Sequence, residues 1–385
     1  MPPSMHFDVV CVGAGALGTF HAYFAAKKGK KVLLIERDFT PYEGTVRNFG
    51  QCVASGQEIP LWRERGVKSL RTYKNIQSKI DITLRNNGTC YIASDDAEMQ
   101  LLEEMHQYNL DSDHASQLLS KEALMDKYPS IRSDYAKGAL FYHQEISLEP
   151  RAAIGKIIDF VQQDTGVIFK NNTTVIRCER NNGKIEILTA DGNKFTSDDV
   201  IICSGREFKI LYPQQFQESG LRISKLQMMQ TEIMPSLNLS GNILTGYSIR
   251  RYEAFHSLPS YRLLCANFKD AEIEDQYGMH ILFKQAVDGS VIIGDSHEYA
   301  SASNTESLDF GISTYINELM LREAKKIMHF PHWNIKSTWN GYYATHADGI
   351  YDQEVEQGIH IVTGIGGKGM STGAGYAEEK INHLF

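Results

Sequence analysis

The sequence predicts an α/β protein, α+β overall, in which a parallel sheet carrying an antiparallel meander is interleaved along the chain with a second, mixed-sheet domain. Three observations carry that prediction. The chain opens on V-V-C-V-G-A-G-A-L-G and, after a helix-length stretch, K-K-V-L-L-I-E-R-D: strand, glycine turn, helix, strand. A middle block alternates apolar runs with the turn signals N-N-G at 181–183 and D-G at 191–192. The far end, I-H-I-V-T-G-I-G-G-K-G-M-S-T-G-A-G-Y-A-E-E at 359–379, repeats the order of strand, glycine-packed turn and helix.

Taken in order, 9–12 read as a short buried strand, 13–18 as a tight turn, 16–28 as a helix closed by Gly29, and 31–36 as a second buried strand. Pro150 stands at the first turn of a helix that ends at Gly166, and 167–169 form the next strand. Three strand-like segments follow as a meander and deliver the chain to D-D-V-I-I-C-S-G at 198–205, an apolar strand ending in small residues where a nucleotide can approach. Residues 84–145 are richer in charge and helix formers, and 221–297 carry several strands with abundant aromatics. The expected division is therefore 1–84, 146–212 and 335–385 for one domain, and 85–145 with 213–334 for the other.

Composition excludes several classes. At 385 residues and 42% hydrophobic content there is material for two sizeable cores. A formal charge of −8, with no dense Lys/Arg cluster, leaves no footprint for nucleic acid. The start has no basic stretch followed by an apolar one and a cleavage site, and no apolar run approaches the ~18 residues of a membrane span. A cytoplasmic protein without membrane or nucleic-acid partners is expected. The six cysteines show no C-x-x-C pairing, so neither a disulfide nor a metal site is expected, and Cys11 and Cys203 read as small buried hydrophobes.

Glycines 13, 15 and 18 fit G-x-G-x-x-G: one makes the turn, one admits the pyrophosphate, one lets helix pack on strand. With Ala16 and Leu17 they form the Rossmann-like nucleotide site, and Glu36, followed by Arg37, ends the second strand where a carboxylate meets an adenosine ribose. This motif alone serves NAD and FAD equally. The second glycine loop favours FAD, which is long enough to meet both; Ser204, Gly205, Gly366, Gly367, Lys368, Gly369 and Met370 then join the cofactor set. A helix starting near Met370 would aim its N-terminal N–H groups at the flavin and favour its anionic reduced form.

At this point the residues resemble a known group. The V-G-A-G-A-L-G start, Glu36, T-V-R-N-F-G at 45–50 and G-I-G-G-K-G-M are similar to the D-amino-acid oxidase, glycine oxidase and sarcosine oxidase superfamily of FAD enzymes. S-I-R-R-Y-E-A-F at 248–255, Y-G-M-H at 277–280, G-D-S-H-E-Y at 294–299 and W-N-G-Y-Y-A-T-H-A-D-G at 339–349 resemble the branch associated with phosphonate breakdown. Lys368 departs from that branch's final loop. The resemblance implies oxidation of a small amine such as 2-aminoethylphosphonate or its N-methyl form. It also implies that Arg47, Asn48, Phe49 and Gly50 run under the flavin. Relatives that attach flavin use a late cysteine or an early-loop histidine; no cysteine follows Cys265 and no histidine lies between His21 and His106, so FAD is expected to be non-covalent.

Amine oxidation needs a neutral amine, its C–H bond presented to flavin N5, and a dry pocket, with oxygen or another acceptor restoring the flavin. An anionic substrate needs local cations, and Arg250 or Arg251, with Tyr252 beside them, are the candidates. On a strand only one of the two arginines would face the ligand; a salt bridge is the other reading of each. His297 and His346 are candidate proton acceptors or phosphonate donors, or else structural histidines. Tyr342, with Tyr343 and Trp339, reads as pocket wall, and Met279 as packing. Lys368 could assist electron transfer to oxygen, or be a solvated loop lysine. The competing readings are a glycine or sarcosine type oxidase, a flavin 2-hydroxyacid dehydrogenase with a histidine base, an FAD-binding protein without turnover, and an NAD-dependent dehydrogenase.

Overall fold

The computed structural model describes residues 5–267 and 276–385; 1–4 and 268–275, the latter inside the 213–334 span, lie outside the described residues. The opening strand is Met5–Val12, buried on both faces once it enters the sheet. It pairs in parallel with Val32–Ile35 on one side and with Lys194–Ile202 on the other. Between the first two strands runs the helix Ala16–Lys27, which stops where Gly29 takes φ 81°. The helix Pro150–Thr165 ends on Gly166 at φ 73° and leads into Ile168–Lys170, which adds in parallel to Val32–Ile35. Val175–Asn181, Lys184–Thr189 and Lys194–Ile202 form the antiparallel meander. Ile359–Thr363 then pairs in parallel with Lys194–Ile202 and sends the chain into the helix Gly369–Leu384.

Among the described residues a second, nine-stranded sheet forms from Thr89–Ala93, Gln117–Ser120, Gly138–Tyr142 and the strands between 222 and 345. Its backbone is the antiparallel pair Arg222–Thr231 and Ile335–Thr345. The boundary expected at 335 is thus ten residues early. Ile335–Thr345 hydrogen-bonds along its length in the second sheet, and the chain rejoins the nucleotide side only where Thr345 bridges Ile365. A second correction concerns Arg250 and Arg251, placed above on a strand. Gly246–Arg251 is a helix, started by a capping box in which Thr245 and Ser248 satisfy each other's backbone N–H groups.

Helices Ala16–Lys27 and Gly369–Leu384 pack side by side over one face of the first sheet, so the starts of both lie near the ends of its parallel strands. Met279 is buried in the core of the second sheet. No described helix is long and apolar enough to cross a membrane.

Candidate functional site

The first glycine turn is shaped by what a side chain would hit. Gly13 holds φ +94° against the Cys203 carbonyl, and a Cβ on Gly18 would overlap the Gly13 carbonyl oxygen, so this helix meets this strand only without side chains. Gly15 is tight as well: a Cβ there would come to 3.1 Å from Thr45 Oγ1. Gly13, Gly15, Ala16 and Leu17 line one cavity that also takes in Glu36, Arg37, Ser204 and Gly205 and reaches Gly366, Gly367, Gly369 and Met370. Gly18 stays behind it, as a packing glycine should.

Glu36 accepts the Ala14 N–H at Oε2 (2.8 Å) and the Asp38 N–H at Oε1 (3.1 Å). A carboxylate has about four acceptor sites, so capacity remains for ribose hydroxyls. Burial raises its pKa, partly offset by those two donors. Gly205, at φ +62° with nothing within 4 Å of a Cβ, presents bare backbone to the same space. Arg37 lines the cavity but pairs with Glu207 at 3.2 Å, which ties two of its lining segments together. Side-chain-free backbone for a pyrophosphate and an anchored carboxylate for a ribose fit a dinucleotide.

A second chamber opens where Asn48, Tyr343, Gly366, Gly367 and Met370 belong to both linings. Phe49, Arg251, Tyr252, Asp295, His297, His346 and Lys368 complete much of its wall. Arg251 is held by donating Nη1 to the Gly278 carbonyl and Nη2 to the Tyr299 hydroxyl, both at 3.0 Å. His297 faces the Gly278 carbonyl with Nδ1 (3.1 Å) and the Tyr343 hydroxyl with Nε2 (3.0 Å). A carbonyl only accepts, so Nδ1 carries the proton and the neutral ring takes the Tyr343 O–H at Nε2. Burial pushes its pKa down to about 4, against the pull of Asp295. His297 is neutral at pH 7 and its free lone pair is already used.

Several expected residues sit elsewhere or are otherwise engaged. Arg250 points away from the chamber and pairs with the fully buried Glu98 and, at 3.5 Å, with Asp95. The helix, not strand alternation, separates it from Arg251. Tyr342 lines the nucleotide cavity under the Arg206 guanidinium (4.7 Å) and donates to the Asp309 carbonyl; its neighbour Tyr343 takes the chamber side. Arg47 lines neither space: Nε donates to the Tyr42 carbonyl (2.8 Å) and pins the loop. Asn48 lines both, yet its amide is spent on Gly44 and Thr45 carbonyls and the Gly50 N–H. Gly50 is a backbone requirement, at φ +74° against the Leu148 carbonyl. His346 has both nitrogens committed, accepting from the Asp348 N–H and donating to the Ser219 carbonyl. Lys368 lies on the chamber side, 3.2 Å from Glu253 and stacked 4.1 Å over Trp62, not solvated.

Sequence reasoning missed Asp295, His280 and Tyr299 on the chamber wall and Thr173, Thr174 and Val175 on the cavity. Asp295 sits inside the G-D-S-H segment, where only the histidine drew notice. Thr45, whose hydroxyl accepts the Ala16 N–H at 3.0 Å, carried no signal beyond its loop.

A glycine-walled nucleotide cavity that opens onto an arginine-bearing chamber between two sheets defines the class: a dinucleotide-dependent oxidoreductase. The chain belongs to the FAD-dependent oxidoreductase family, whose model matches residues 8–379. FAD is therefore the dinucleotide, and the NAD reading falls. The chain is 26% identical to glycine oxidase of Bacillus subtilis (strain 168) over 212 residues, 52% of this chain and 54% of that protein. It is 22% identical to N-methyl-L-tryptophan oxidase of Yersinia pestis (strain Pestoides F) over 225 residues, 54% of this chain and 56% of that one. It thus spans about half the length of the curated relatives it matches. Among solved structures, glycine oxidase from Geobacillus kaustophilus superposes with a TM-score of 0.76 at 14% identity, over 99% of this chain and 95% of the other. L-proline dehydrogenase from P. horikoshii does so with 0.77 at 16%, over 99% and 94%. At such identities the likeness shows the shared fold.

Proposed function

We propose that this protein oxidises a small amine bearing an anionic group, at the carbon next to nitrogen, with non-covalently held FAD. The supporting observation is Arg251: a half-buried guanidinium on the chamber wall, held in place by Gly278 and Tyr299. When bound, FAD supplies the two-electron acceptor for the hydride leaving that carbon; the resulting imine hydrolyses to a carbonyl compound and free amine. Arg251 would grip the anion, and Tyr252 and Tyr343 would wall the chamber and exclude water. Gly366, Gly367 and Met370, common to both linings, bring the start of the last helix to the boundary where amine and cofactor would meet. Oxygen or another acceptor completes the cycle, and Lys368, between Gly367 and Gly369, is a fixed cation on the chamber side.

Within this class the substrate we favour is an aminophosphonate such as 2-aminoethylphosphonate or its N-methyl form, on the strength of the sequence segments that line the chamber. A glycine or sarcosine type amino acid is the second reading, supported by the glycine oxidase relative. A 2-hydroxyacid fits less well, because alcohol oxidation needs a strong base and His297, at about 4 and bonded by Tyr343, is a poor one. The test is the anaerobic visible spectrum of purified protein with 2-aminoethylphosphonate, its N-methyl form, glycine, sarcosine and glycolate. Bleaching by phosphonates alone supports the favoured substrate, bleaching only by glycine or sarcosine moves it to the second, and bleaching only by glycolate overturns amine oxidation.

A further inference from the structure

We infer that Asp295 is a cation subsite in the second chamber, taking the ammonium group of the ligand while Arg251 takes its anion. The assignment rests on the amine reading above and names which wall the nitrogen meets.

Asp295 is 8% exposed and lines the chamber; its Oδ1 is closed off from solvent beside His280 and accepts no hydrogen bond from the described residues, while Oδ2 is not closed off in this way. Its main chain is fixed by reciprocal bonds with His280, whose N–H donates to the Asp295 carbonyl at 2.7 Å. The side chain has neighbours but no close donor. His280 Nδ1 lies 3.5 Å from Oδ1, and His297 Nε2 lies 3.7 Å from Oδ2, both long for hydrogen bonds. His297 also turns a lone pair, not a proton, toward that side, since Nδ1–H is committed to Gly278 and Nε2 accepts from Tyr343. Arg251 has placed donors on Gly278 and Tyr299.

A buried carboxylate short of donors is costly unless something supplies them. Burial opposes its ionisation, but neighbouring groups, the Arg251 guanidinium among them, hold its pKa below the ordinary value, so it is ionised at neutral pH. The group that completes it is a cationic N–H donor small enough to share the chamber with an anion on Arg251. That is the description of a compact zwitterion. A hydroxyl in place of the amine offers Asp295 one donor and no charge.

The experiment uses FAD-loaded protein, wild type and Asp295→Asn, under anaerobic conditions. Dissociation constants are read from flavin absorbance for two matched pairs: 2-aminoethylphosphonate with 2-hydroxyethylphosphonate, and glycine with glycolate. Propionate and ethylphosphonate serve as anions without either group. Wild type is expected to prefer at least one amine over its hydroxyl partner by about tenfold or more. In Asp295→Asn that ratio is expected to fall to near one, with the amine-free anions bound as well or more tightly because Arg251 loses its counter-charge. A wild-type protein without amine preference, an unchanged ratio in the variant, or equal loss for amines and bare anions each overturns the subsite. Should Asp295→Asn fail to retain FAD, Asp295→Ser is read in the same way, and the wild-type ratio stands as a test by itself. An amine that binds with preference but never bleaches the flavin sinks the oxidation reading and leaves the subsite; bleaching with an unchanged ratio does the reverse.

Discussion

At the residue scale, two adjacent arginines have opposite fates. Arg250 neutralises Glu98, a carboxylate with no exposure, whose pKa burial drives up while Arg250 pulls it down. Arg250→Ala strands that charge and is expected to cost about 3 kcal/mol of stability, seen as a lower urea midpoint. Arg251→Ala removes no buried partner of opposite charge in direct contact. Its expected effect is a rise of about a hundredfold in the dissociation constant for anionic ligands, with the urea midpoint much less changed. Equal effects of the two variants on both measurements would refute this division. Nothing in R-R says which arginine is which; the turn of a six-residue helix, Gly246–Arg251, decides it.

At the scale of elements, the strand, turn and helix at the start is the part whose geometry tolerates least. Gly18→Ala puts a methyl into the Gly13 carbonyl, so helix and turn must separate where the pyrophosphate belongs. Flavin absorbance per protein after purification is expected to fall at least about tenfold, and added FAD should not restore it. Full flavin content in this variant would show that the turn can open without loss of the site. Lys368 belongs to the other glycine turn and is fixed by Glu253 and Trp62. Lys368→Met is expected to leave anaerobic reduction within about twofold while slowing reoxidation by oxygen about tenfold. Stopped-flow traces of the two half-reactions separate these outcomes.

At the scale of the whole molecule, imidazoles buried as neutral rings make stability fall as pH drops, above the range where carboxylates titrate. Burial drives His21 and His297 from 6.5 to about 4. Above pH 6.5 neither the folded nor the unfolded chain binds these protons, and stability is full. Between 6.5 and 4 the unfolded chain takes them up and the folded one does not, so stability falls as pH drops, by about 1.4 kcal/mol per unit for each ring, and levels off below 4. Melting temperature from pH 7.5 to 4.5 is expected to decline through that window. His21→Gln, far from the chamber, should make the slope shallower, the rest coming from His297 and from His280 and His360, which burial also lowers; an unchanged slope would mean other groups dominate.

The sequence by itself determined the nucleotide half. Glycines at 13, 15 and 18, Glu36, the caps at Gly29 and Gly166 and the meander turns act over a few residues, through sterics and local hydrogen bonds that any reader of the chain can follow. Only the tertiary structure decided the chamber. Its wall gathers residues from 48 to 371, and whether Tyr342 or Tyr343, Arg250 or Arg251, Asp295 or His297 meets a ligand depends on registers and helix phases fixed by distant partners. The early boundary at 335 has the same cause: Ile335–Thr345 takes its place from Arg222–Thr231, more than a hundred residues before it, because a strand belongs to the sheet that satisfies its backbone.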